Sequence, residues 1–160
     1  MDTDIRKINH PKVVKRVNMP AVTISIVLIL SGILTLVFGL TAVAILLLAL
    51  GIIFYFVKGS VELYEPTGSH VKTFSIYTPA EKLHDLKATL KGELNDSTPA
   101  FTVVPSAGGR LDVIVSADGD FAAWQIFHFI PHRYEPLTEV HTLTGPPAKQ
   151  FIRYIERCKK

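Results

Sequence analysis

Two carboxylates flank a glycine at Asp118-Gly119-Asp120, and two histidines stand four residues apart at His128 and His132, with His141 further on. Paired carboxylates are suited to hold Mg²⁺ or Mn²⁺ together with substrate phosphates. Histidines four apart on one helix face are suited to Zn²⁺. Each pattern also has a plainer reading. Asp-Gly between two strand-like runs is a hairpin signal, with the aspartate stabilising the turn from the solvent side. Pro131 lies between the two histidines and argues against a continuous helix, and His-Glu-x-x-His is missing. Asp118, Asp120, His128 and His132 are therefore the residues of an alternative reading, a small membrane-bound hydrolase or transferase. The leading expectation is a non-catalytic domain that needs no cofactor.

Other chemical signatures are weaker. The chain carries no phosphate loop, dinucleotide fingerprint or nucleophile elbow. Ser106-Ala107-Gly108-Gly109 reads as a turn, and His84 has no obvious partner. Tyr64-Glu65-Pro66 and Tyr134-Glu135-Pro136 repeat a tripeptide, but their flanks do not match over a repeat period. Cys158 is the only cysteine, which excludes an internal disulfide and a multi-cysteine zinc site and fits a reducing compartment.

The elements that would position these groups are dominated by one feature. Residues 17–57 contain no Asp, Glu, Lys, Arg or His. As a single helix the run would be about 60 Å long, twice the roughly 30 Å hydrocarbon core of a bilayer. It is expected to fold back as two membrane helices, spans 20–38 and 42–57, within a hairpin of residues 18–57. Asn18 and Pro20 suit the start of the first helix. Gly39-Leu40-Thr41 suits the turn, and Phe54, Tyr55 and Phe56 next to Lys58 suit an interfacial belt. A cleaved signal peptide is the poorer account, although Ala42-Val43-Ala44 resembles a cleavage site, because the apolar stretch before it is too long and a second follows directly. A re-entrant hairpin confined to one leaflet remains compatible with the short turn. Ser31, Thr35 and Gly39 form a small-residue stripe that Ala42 and Ala49 could face, so these five are the expected packing seam.

Charge sets the expected orientation. Arg6, Lys7, Lys12, Lys15 and Arg16 precede the hairpin and Lys58 follows it, while the turn is uncharged. The positive-inside rule then places both termini in the cytoplasm of a two-span cell-membrane protein. The same five cations, in an arm of residues 1–17, are the candidate contacts with anionic lipid. The net charge of +3 arises in this arm, because acidic and basic side chains balance from Lys58 onward. A neutral domain argues against nucleic-acid binding. The expected partners are the lipid bilayer and either another protein or a second copy of the chain.

Residues 59–160 read as a soluble α+β domain, mainly an antiparallel sheet of about five or six strands with two helices. Strands are expected at 61–64, 70–77, 101–104, 111–115, 121–130 and 134–143, the last with Pro136 near its start. Thr78-Pro79-Ala80-Glu81 resembles a capping box opening a helix over 79–91, with Leu83, Leu86 and Leu90 inward and Gly92 as the stop. Gly145-Pro146-Pro147 opens a last helix whose Ala148, Phe151, Ile152, Ile155 and Cys158 share a face. Lys149, Arg153 and Arg157 form a basic stripe on that helix, with Lys159 and Lys160 beyond. It reads as a solvated face more readily than as a lipid-binding one.

Overall fold

The structure is a computed structural model that describes residues 8–95, 97–105 and 108–159. Among these are four α-helices and a curled antiparallel sheet of seven strands. The chain divides into two compact units, residues 14–63 and residues 1–13 with 64–160.

The smaller unit is the helical hairpin with a short strand at each end. These strands are β1 (Val13–Val17) and β2 (Ser60–Tyr64), which are neighbours in the sheet. Helices α1 (Met19–Val37) and α2 (Thr41–Lys58) are both long and apolar enough to cross a membrane. They match the expected spans to within a residue or two. The turn between them uses Gly39 at φ +77°, a conformation that a side chain disfavours. Asn18 does not cap α1 with its side chain. Its backbone amide instead donates to the Gly59 carbonyl at 2.9 Å, and its carbonyl accepts the Val22 amide.

The helix seam differs from the expected one. Ala21, Ser25 and Gly32 are the buried residues of α1, and Ala44 and Gly51 those of α2. Ser31, Gly39, Ala42 and Ala49 are exposed, and Thr35 is half-buried with its hydroxyl bonded back to the Ser31 and Gly32 carbonyls of its own helix. The seam is closer than a side chain at its glycines would permit. A Cβ on Gly51 would lie 2.7 Å from Ile29 Cγ1 and 3.1 Å from the Ser25 carbonyl oxygen. Ser25 Oγ donates to the Gly51 carbonyl at 2.5 Å, satisfying a polar group inside an apolar seam.

The larger unit is built on strands β3 (Ser69–Thr78), β4 (Gly109–Ser116) and β5 (Phe121–Ile130). They pair antiparallel in that order, with Val113 opposite Trp124 and Ile76 opposite Leu111. Beyond β5 lie β6 (Arg133–Pro136) and β7 (His141–Thr144), which take its C-terminal and N-terminal halves respectively. One continuous strand over 134–143 was expected. It is interrupted because the Thr138 hydroxyl accepts the Ile126 amide at 3.1 Å and Gln125 Nε2 donates to the Thr138 carbonyl. The expected strand at 101–104 is reduced to one bridge, Val104 to Tyr77.

One sheet face carries α3 (Leu83–Lys91) and α4 (Pro146–Cys158). Leu86, Leu90, Phe151 and Ile155 pack there against Ile76, Leu111, Val113, Trp124 and Ile126. Each such fully buried side chain contributes about 1.5–3 kcal/mol relative to exposure. The expected capping box is not formed. Thr78 is the last residue of β3, opposite Gly109, and its buried hydroxyl has no hydrogen-bond partner among the described residues. A 3-10 turn, Ala80–Lys82, leads into α3 instead.

The other face is covered in part by the segment preceding the hairpin. Ile8 is buried with Tyr64, Ile114, Phe121 and Ala123. Its amide donates to Asp112 Oδ2 at 3.2 Å. The Glu65 amide donates to the Lys12 carbonyl at 2.9 Å. The arm expected over residues 1–17 is thus, from Ile8 to Val13, part of the folded domain.

Candidate functional site

Asp118 and Asp120 sit in the tight turn between β4 and β5. Asp118 Oδ1 accepts Ser116 Oγ at 2.5 Å and the Asp120 amide at 3.0 Å. These bonds, the Ser116 hydroxyl foremost, hold the Asp118 carboxyl below the usual carboxylate range. Gly119 takes φ +74° between them, and Asp120 forms an ion pair with Lys149 at 2.9 Å. His128 lies at the far end of β5, opposite Gly109, and His132 forms the β5–β6 turn with φ +74°. Eight residues of strand separate Asp120 from His128, roughly 26 Å at about 3.3 Å per residue. The carboxylates and the histidines are therefore not brought together. Among the described residues no group of three His, Cys, Asp or Glu is placed to hold a metal ion. His141 is also occupied elsewhere, stacked on Trp124 at 4.2 Å, and burial lowers its pKa.

Of the expected lipid contacts, Lys12, Lys15 and Arg16 are exposed, and Arg6 and Lys7 lie outside the described residues. The basic stripe of α4 is largely engaged within the domain. Lys149 pairs with Asp120. Lys159 Nζ stands 3.2 Å from the centre of the Phe74 ring, and burial lowers its pKa. Lys160 lies outside the described residues.

The remaining cations of the stripe border a concavity of the domain. Arg157 Nη2 donates to the Thr98 carbonyl at 2.6 Å, and its guanidinium lies 5.5 Å over the Tyr154 ring. The Tyr154 hydroxyl donates to the Pro99 carbonyl at 2.9 Å, and burial pushes its pKa upward. The loop these two residues hold is itself shaped by Asn95. The Asn95 amide donates to Thr98 Oγ1, and Asn95 Oδ1 accepts the Ser97 amide. Such side chain to backbone bonds fix a loop without a sheet.

Between this loop and α4 lie two adjoining cavities of about 450 and 190 Å³ that share Leu94, Asn95 and Gln150. The larger is floored by Leu90, Leu143 and Pro147, with Glu93 at its side. The smaller ends at Arg153 and Arg157. Arg153 has no hydrogen-bond or ion-pair partner among the described residues. The result is one groove, apolar at one end and cationic at the other. The larger volume is in the range of ordinary ligand pockets.

The sequence reading missed the groove residues Leu94, Asn95 and Gln150. Asn95 with Thr98 three residues on was a signal of a fixed turn, but nothing in the linear pattern placed that turn beside α4. The comparisons with known proteins add nothing to the site: no protein-family model, curated protein or solved structure matches this chain.

Proposed function

We propose that the protein is a two-span membrane protein whose larger unit is a non-catalytic binding module. In this reading α1 and α2 cross the bilayer, and the module binds an acidic, partly apolar segment of a partner protein in the α4 groove. The observation that carries the binding role is the groove itself. Leu90, Leu143 and Pro147 would take apolar side chains, and Arg153 would pair with a carboxylate at the other end. The anchoring role rests on the two apolar helices and on the hydrogen bonds joining Ile8 and Lys12 to the domain beyond them. These bonds support a reading in which both flanks of the hairpin lie on one side of the bilayer. The cations Lys12, Lys15, Arg16 and Lys58 favour the cytoplasmic side.

A photo-crosslinking residue at Gln150 tests the binding role in native membranes. It is expected to capture one discrete protein, and Arg153→Glu is expected to reduce the yield at least tenfold. Capture that ignores the charge reversal would contradict the groove. Capture of lipid alone would replace the protein partner with an amphiphile.

A further inference from the structure

His10 occupies a position in which the charge state of its ring decides whether the segment around it can stay bound. It is 7% exposed, and its ring meets the Phe121 ring edge-on at 5.1 Å. Both ring nitrogens are engaged. Nδ1 accepts the Lys12 backbone amide at 3.2 Å, and Nε2 lies 3.0 Å from Thr142 Oγ1 on β7. A backbone N–H only donates, so Nδ1 must carry a lone pair. Nε2 then holds the proton and donates to the threonine hydroxyl. This arrangement exists only for the neutral imidazole.

We propose that Ile8–Lys12 is a pH-sensitive clasp, closed on the sheet while His10 is neutral and released when His10 takes up a proton. Protonation at Nδ1 removes the acceptor for the Lys12 amide. It also buries a charge against Phe121 and sets that charge beside the Lys12 ammonium. The surrounding groups offer little compensation. Thr142 faces the ring from β7 and Phe121 from β5, with Tyr64 stacked on Phe121 at 3.9 Å. On β4, Asp112 binds the Ile8 amide but is ion-paired to Arg110 at 2.9 Å. Glu65 reaches the clasp through its backbone amide, on the Lys12 carbonyl.

The sign follows directly. Burial, then the Lys12 charge, lowers the His10 pKa from its ordinary 6.5 while the clasp is closed. The closed form is therefore fully favoured above that ordinary value. Its advantage is lost as pH falls from there through the lowered pKa of the closed form. Between those two values the open fraction rises about tenfold per pH unit, the limit for one proton. Release would bare the sheet face around Phe121 and Ile114.

The test is hydrogen exchange at the Lys12 and Ile8 amides of the full chain in detergent micelles, between pH 7.5 and 5.5. Rates are expressed relative to an unstructured chain at the same pH. Protection is expected to fall at least fivefold in the wild type while the Val113 amide in β4 keeps its own. His10→Asn should stay protected at both pH values, because Asn Oδ1 accepts the amide two residues on without titrating. His10→Ala should be unprotected at both. His141→Gln should behave as the wild type. The proposal is overturned by a flat wild-type profile, by His10→Asn losing protection as the wild type does, or by His10→Ala remaining protected. A flat His141→Gln profile would also overturn it by assigning the switch to His141, as would loss of Val113 protection together with the clasp. Nitrogen-15 spectra of His10 at pH 7.5 should show the Nε2–H tautomer, and an Nδ1–H tautomer would refute the geometry.

Discussion

The backbone amide of Ile8 donates to Asp112 Oδ2 at 3.2 Å, joining residues 104 positions apart. A second bond, from the Glu65 amide to the Lys12 carbonyl, closes the gap on either side of the apolar hairpin. In the chain the hairpin is thus an insertion within a folded domain. An isolated domain needs the segment from Ile8 to Val13 as well as the residues that follow the hairpin.

Replacing residues 14–63 by a turn of a few Gly and Ser residues should therefore yield a water-soluble domain that melts cooperatively. Lys12 and Glu65 are already hydrogen-bonded at 2.9 Å, so the linker spans almost nothing. A fragment of residues 59–160 alone should be less stable by about 2–4 kcal/mol, the combined scale of one buried isoleucine and its hydrogen bonds. Chemical denaturation of the two proteins measures the difference, and equal stabilities would show that the clasp contributes nothing.

In the hairpin, Gly51→Val should disrupt the seam, because even a Cβ at this position collides with Ile29. Overpacking of this kind typically costs about 1–3 kcal/mol. Ala49→Val, on the exposed side of α2, should change little. Thermal unfolding in detergent distinguishes the two. The reverse order would restore the seam through Ser31, Thr35, Gly39, Ala42 and Ala49.

The buried Arg110–Asp112 pair should behave as a unit. Arg110 Nε lies 2.9 Å from Asp112 Oδ1, and the guanidinium is held between the Phe127 and Tyr134 rings. Ser75 Oγ donates to the same carboxylate at 2.7 Å. Arg110→Leu or Asp112→Leu alone removes one half of a buried ion pair and should cost about 3–5 kcal/mol. The double replacement should cost less than the sum of the singles by more than about 1 kcal/mol. Additive losses in a denaturation cycle would mean the two groups act independently.

How much of this was legible in the sequence depended on whether the signal was local. The bounds of α1 and α2 follow from an uncharged run broken by Gly39 and Thr41, and the structure agrees with them. The seam was not legible, because small residues occur on more than one helix face and only packing selects Ser25, Gly32, Ala44 and Gly51. Thr78 carried the pattern of a helix cap, but its pairing with Gly109 commits it to β3. The cations of the N-terminal arm drew attention to a membrane surface, whereas the residues that bury there are the uncharged Ile8 and His10 between them. The groove depends on Asn95 meeting Arg157 across most of the domain sequence, a pairing that no local pattern encodes.

The proposed two crossings put both flanks of the hairpin on one side of the bilayer. Single cysteines at Lys12, Leu40 and Glu139, in a Cys158→Ala background, test this with a membrane-impermeant thiol reagent on intact cells. Leu40→Cys, in the turn between the helices, should react in intact cells. Lys12→Cys and Glu139→Cys should react only after permeabilisation. Opposite behaviour of Lys12→Cys and Glu139→Cys, or a Leu40→Cys that reacts only in permeabilised cells, would contradict the two-span arrangement.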